Sequence, residues 1–228
     1  MNRTSAAVLT VACFAAAAGA QTTYDTSVSP SWNVGTGQPN ANFVVNDDPA
    51  TGAQTGLSSF YRFDGGQNSI VNNTYEFNSG NTYPPSTTAA WNFNYHANLG
   101  SNGNVINNNV LLTIDWDPTA GTDLRTYHLE GLFLILSNNP GLNLLQGSEN
   151  LGFSYWSDPT FLTITGSTAP SVAFDPNATG TYTFNLTIET IGGTSISSVD
   201  MFVNVVPAPG AGAALGLGGL AVFRRRRR

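Results

Sequence analysis

Tyr182, Phe184, Leu186 and Ile188 alternate with Thr183, Asn185 and Thr187, and this two-residue beat limits the chain more than any other feature. Successive side chains of a strand point to opposite faces, so such a segment has one buried and one wet face, as in antiparallel sheets. Trp91-Asn92-Phe93-Asn94-Tyr95 repeats the beat, and the run from Ile196 to Val205 enters it less regularly. Between residues 21 and 206 no stretch sustains apolar residues at i, i+3, i+4 and i+7. The 25 asparagines, with abundant Gly, Thr and Ser, favour turns and strands over helix interiors. Further strands are expected at Asn42–Val45, Ser58–Phe63, Ile70–Phe77, Val110–Trp116, Leu129–Leu136 and Phe161–Thr165. Leu129–Leu136 is almost continuously apolar and should be central, buried on both faces. Turn signals such as Asn102-Gly103 and Asp175-Pro176-Asn177 punctuate these runs.

The pattern predicts an all-β domain over residues 39–206, a two-sheet antiparallel β-sandwich of jelly-roll or immunoglobulin-like type. Residues 21–38 read as an extended N-terminal arm outside it. No fixed repeat period is present, which argues against a solenoid or propeller.

The two ends are of another kind. Met1-Asn2-Arg3 is a short basic segment, Ala6 to Ala18 is apolar, and Ala18-Gly19-Ala20 is a small-x-small cleavage site. Residues 1–20 therefore read as a signal peptide, removed by signal peptidase to leave Gln21 first. The single cysteine, Cys13, leaves with it, so the mature chain can have no disulfide, thiolate metal site or cysteine nucleophile. At the other end stand Pro207-Ala208-Pro209-Gly210, an uncharged stretch from Ala211 to Phe223, and five arginines, Arg224, Arg225, Arg226, Arg227 and Arg228. A lone segment in hydrocarbon must be helical to satisfy its backbone. This one is shorter than the roughly 20 residues that span a bilayer, and Pro207 and Pro209 stop it from being lengthened. The arginines lie where cytoplasmic charge belongs. The segment reads as a single short transmembrane-type helix, a marginal anchor.

In this order the three pieces resemble the PEP-CTERM sorting signal, the C-terminal tag recognised by exosortases in Gram-negative-type bacteria. Ala208 stands where that family usually has glutamate. The resemblance covers residues 207–228. It implies export, transient anchoring in the inner membrane, an exosortase-type sorting enzyme as partner, and cleavage near the proline motif. Delivery to the cell surface or extracellular matrix would follow. Phe174-Asp175-Pro176-Asn177-Ala178-Thr179-Gly180-Thr181-Tyr182-Thr183-Phe184 is also similar to strands found just upstream of the tag in such exported proteins.

Charge narrows the partners. All 14 carboxylates lie between Asp25 and Asp200, whereas of the 8 basic residues only Arg62 and Arg125 fall in the mature domain. Its formal charge is 2 − 14 = −12. Such a surface repels nucleic acid and anionic lipid, so no nucleic acid partner is expected. Long neutral asparagine-rich faces suit a hydrated exopolysaccharide.

Catalytic signals are weak. His96 and His128 are the only bases near neutral pH, and no G-x-S-x-G or H-E-x-x-H motif accompanies them. Nothing in the carboxylate spacing selects a glycosidase pair. The one constellation with some specificity is Asp115-Trp116-Asp117-Pro118-Thr119-Ala120-Gly121-Thr122-Asp123. It gathers Asp115, Asp117 and Asp123 in one loop as a candidate Ca2+ site, because calcium takes six to eight oxygens. A solvated acidic turn explains the same residues. Trp32, Trp91, Trp116 and Trp156 could form a sugar-stacking platform or a core.

The reading is an exported, non-enzymatic surface or matrix β-sandwich with no catalytic residues and no resident cofactor. Two alternatives stand beside it: a glycan-binding module, with or without calcium, and a polysaccharide hydrolase.

Overall fold

The computed structural model describes residues 21–34, 39–63, 71–81, 87–137, 139 and 141–208. In chain order they form β1 (Gln21–Thr26), β2 (Phe43–Asp48), β3 (Ala53–Tyr61), β4 (Thr74–Asn78), β5 (Trp91–Asn98), β6 (Asn108–Asp115) and β7 (Leu124–His128). Then come α1 (Leu129–Ser137), β8 (Leu144–Glu149), α2 (Pro159–Ile164), β9 (Gly180–Thr190) and β10 (Ser195–Val206). The first sheet has the order β1-β2-β3-β5-β8 and the second β4-β10-β9-β6-β7. They stack as a β-sandwich.

The alternation in β9 works as expected. Tyr182, Phe184, Leu186 and Ile188 are all buried, and Phe184 meets Phe93 of the first sheet at 4.7 Å between ring centres. On the outer face Asn185 donates to Ser198 and Asp200, and Thr187 donates to Asn185. Each such buried side chain contributes roughly 1.5–3 kcal/mol, which is how a domain without disulfides holds itself together. Gly180 opens β9 at φ +134°, where its backbone passes against the Pro118 carbonyl, and Thr181 N–H bonds that carbonyl at 2.9 Å. A side chain at 180 would be strained by the angle and blocked by the contact.

Three expectations need correction. The sandwich is not wholly antiparallel: β4 pairs with β10 in parallel, Phe202↔Thr74 through Val206↔Asn78, so the second sheet is mixed. These strands are far apart in sequence, and no hairpin dictates their direction. Leu129–Leu136 is not a central strand but the helix α1. A short apolar run fits either state, and periodicity cannot choose. Leu129 is buried, whereas Ile135 and Leu136 are 61% and 72% exposed, so the run is not buried on both faces. Phe161–Thr165 lies mostly within α2. Asp158 caps this helix by accepting from Thr160 N and Phe161 N, and Pro159 occupies its first turn.

Of the segment read as an extended arm, residues 21–34 are described, and β1 within it is the edge strand of the first sheet, beside β2. Val28 and Trp32 then pack on Phe43 and Val45 to form a second, smaller core.

The two flanks of the sandwich differ. Toward β2 and β3, small polar groups join the sheets: Ser197 Oγ lies 2.8 Å from Thr55 Oγ1 and 2.9 Å from the Asn46 carbonyl. On the opposite flank β8 and β7 are the edge strands, and the chain crosses from one to the other through α1. That flank holds the cavity.

Candidate functional site

The inward register of β8 is Leu145, Gly147, Glu149, which puts a carboxyl where an apolar residue is the rule. The intervening residues face outward, where Gln146 bonds His96 at 2.9 Å and Asn92 donates to Ser148 at 3.4 Å. Gly147 pairs with Tyr95 across the ladder, and a Cβ at 147 would run into the Tyr95 ring. The missing side chain lets Tyr95 lie across β8 beside Glu149.

Asn150 fixes the next segment. Its amide nitrogen bonds the carbonyls of Ala89 and Trp91, and its Oδ1 accepts from the N–H groups of Ala89 and Gly152. This staple sets the 3-10 turn Ser154–Ser157, which carries Tyr155 and Trp156. Trp156 Nε1 donates to the Asn150 carbonyl at 2.9 Å, and the Tyr155 hydroxyl donates to Glu149 Oε2.

Helices α1 and α2 close over these groups. They approach so tightly at Gly131 that a Cβ there would lie 2.8 Å from the Ile164 carbonyl oxygen. A cavity of about 210 Å³ remains. Leu129 and Leu132 of α1 and Phe161 of α2 form its walls, with Trp156 beneath and Leu136 at the rim. Tyr155, Trp156 and Phe161 meet one another with ring centres 5.0–5.3 Å apart. Tyr95 and Glu149 complete the lining.

Burial pushes the Glu149 carboxyl up to about 7, against the Tyr155 hydrogen bond, which pulls it down. Burial, then the neighbouring Glu149 charge, raises the Tyr95 and Tyr155 phenols well above their ordinary value. Neither Arg62 nor Arg125 compensates. Arg125 pairs with Asp123, and Arg62 lies over the rings of Phe63 and Phe153. Among the described residues Glu149 has no ion-pair partner. The site is an apolar box with one acidic group that is half ionised near neutrality.

The acidic loop between β6 and β7 is arranged differently. Asp115 Oδ1 accepts from Asp117 N at 3.2 Å and from Asp123 N at 2.8 Å. Asp117 Oδ1 accepts from Thr119 N and Oγ1, and the Gly121 Cα packs against the same carboxyl. Asp123 accepts from Ser171 N and Val172 N and pairs with Arg125. The three carboxylates thus hold their own loop and strap it to residues 171–172. Among the described residues no group of three or more His, Cys, Asp or Glu side chains is gathered for a metal ion. Asp48 behaves likewise, accepting from Ala50 N and Thr51 Oγ1.

His96 is fully buried between Gln146 and the Ser29 carbonyl, and burial lowers its pKa to about 4. It is neutral near pH 7 and positions its neighbours. His128 Nδ1 lies 2.7 Å from Glu130, whose other oxygen accepts from Val110 N. All four tryptophans are buried, and of them Trp156 lines the cavity. Gln21, Pro207 and Ala208 are described, whereas Ala18, Ala20, Pro209, Gly210 and Arg224 to Arg228 lie outside the described residues. Among those described, no helix is long and apolar enough to cross a membrane.

No family model, curated protein or solved structure matches this chain.

Proposed function

We propose that this chain is a non-enzymatic surface or matrix protein, exported on its signal peptide and sorted through its C-terminal tail. In this reading Ala211–Phe223 and the arginine cluster hold it briefly in the inner membrane. An exosortase-type enzyme then processes it near Pro207–Gly210 and releases it toward the cell surface or exopolysaccharide matrix. One observation carries the reading: a Pro/Gly break, an uncharged apolar segment and five arginines, in that order, directly after the last strand. The site geometry is compatible with it. Among the described residues the buried hydrophobic ones run from Val28 to Val205, all ahead of the proline motif.

The test is processing in the native host. Intact mass of surface protein should begin at Gln21 and lack Arg224–Arg228. Replacing Arg224 to Arg228 with Ser should leave the protein in the wrong fraction. Full-length tail on surface protein, with unchanged localisation of the Ser variant, would sink the sorting reading.

A further inference from the structure

The cavity between β8, α1 and α2 contains a carboxyl that the domain itself does not neutralise. Among the described residues its hydrogen-bond donor is the Tyr155 hydroxyl, and both Arg62 and Arg125 are engaged elsewhere. An ionised group withdrawn from water demands either a proton or a cation. Aromatic rings of Tyr95, Tyr155, Trp156 and Phe161 surround it, and ring faces attract organic cations within about 6 Å. A hard divalent cation such as calcium or magnesium does not suit the site, because it wants about six or more oxygens and the walls here are hydrocarbon. An anion would meet no cationic donor and the field of a domain of charge −12.

Size sets the rest. An apolar cavity of about 150 Å³ accepts benzene. The cavity here, about 210 Å³, has room for a ring or short chain plus a charged head.

We propose that this cavity binds a small primary organic ammonium, with its nitrogen on Glu149 and its alkyl or aryl body against Leu129, Leu132 and Trp156. The exposed Leu136 marks the mouth through which it enters.

The test uses three probes of one shape and the full-length chain at pH 8: 2-phenylethylammonium, 2-phenylethanol and phenylacetate, each followed by calorimetry and thermal melting. The ammonium should bind at least about tenfold more tightly than the alcohol, as a charged hydrogen bond exceeds a neutral one. Phenylacetate should not bind. Glu149→Gln should remove the ammonium's advantage and leave alcohol binding unchanged; the other carboxylates stay in place, so general charge attraction would survive the change. Leu132→Trp, which fills the cavity, should abolish binding of both. Equal affinity for ammonium and alcohol, ammonium binding indifferent to Glu149→Gln, or no binding at millimolar probe would each overturn the proposal.

Discussion

Asp123 and Glu149 are both carboxylates withdrawn from water at the margin of one sandwich, and their surroundings have opposite effects. Asp123 is 6% exposed. Burial pushes its pKa up, but two backbone N–H groups, the Ser171 side chain and Arg125 outweigh that and hold it below the ordinary value. Glu149 meets one phenol and hydrocarbon, so burial wins and its pKa rises to about 7. Depth alone does not set the charge of a buried acid; the donors aimed at it do. The carboxylates of the acid-rich motif accept hydrogen bonds from their own loop and from residues 171–172, while the solitary acid lies on an inward register among hydrocarbon.

The largest effect expected from this contrast is at Asp123. Asp123→Ala strips Arg125, Ser171 N and Val172 N of their acceptor, which should cost about 3 kcal/mol at pH 7 in urea unfolding. A loss under about 0.5 kcal/mol would place the strap to residues 171–172 among the exposed pairs of little worth.

The opposite sign is expected at Glu149. Its folded pKa is above its unfolded one, so its contribution is most favourable below about pH 4.5 and is lost as pH rises toward 7. Glu149→Gln keeps the shape and removes the charge, and should gain about 2–3 kcal/mol at pH 8. His96 runs the other way. Its folded pKa is lowered to about 4, so the stability it confers is whole above about 6.5 and lost as pH falls toward 4. Between pH 4.5 and 6.5 the two slopes oppose each other, and the wild type should be nearly flat. Urea titrations of Glu149→Gln at pH 4.5, 6 and 8 should reveal the steep acid loss due to His96. Destabilisation of that variant at pH 8 would mean that the carboxylate already has a cation.

The smallest effect concerns calcium. Because Asp115 and Asp117 already accept backbone N–H groups and Asp123 holds Arg125, added calcium or chelator should leave the melting temperature within about 1 °C, as no ligand linked to the folded state is exchanged. A rise of several degrees that Asp117→Asn removes would show that the loop rearranges around the ion.

The period-two segments of β9 and β10 were legible because their burial is one-sided, with Phe184 and Val203 turned into the core. β5 alternates as well, but its asparagine face is not wet: Asn92, Asn94 and His96 are buried beside Trp91 and Phe93. The strand β8 was not legible, because Gln146-Gly147-Ser148-Glu149 contains no aliphatic residue; its inward positions are filled by a glycine and a carboxyl. That is also why the cavity was missed. Reading Leu145, Gly147 and Glu149 as one face would have flagged an acid on an inward register. The signal for α2 was present in Asp158-Pro159, a cap followed by a first-turn proline, and the Phe161-Leu162 pair obscured it. For α1 no local signal decides between helix and strand; the approach to Ile164 at Gly131 is a tertiary contact. The acidic loop could be read as one compact stretch of carboxylates, but which way they point depends on backbone donors that composition does not display.

The parallel pairing of β10 with β4 has a mechanical consequence. β10 is the last strand among the described residues, it is hydrogen-bonded on both sides, and it runs without interruption into Pro207. Any pull applied beyond Val206 is therefore directed along the axis of β10. The ladder to β9, from Val205↔Gly180 back to Ser195↔Glu189, and the ladder to β4 must slip together under such a load; they cannot be peeled apart one bond at a time. A load applied at this end would therefore meet a strand held between two neighbours, in the geometry of shear.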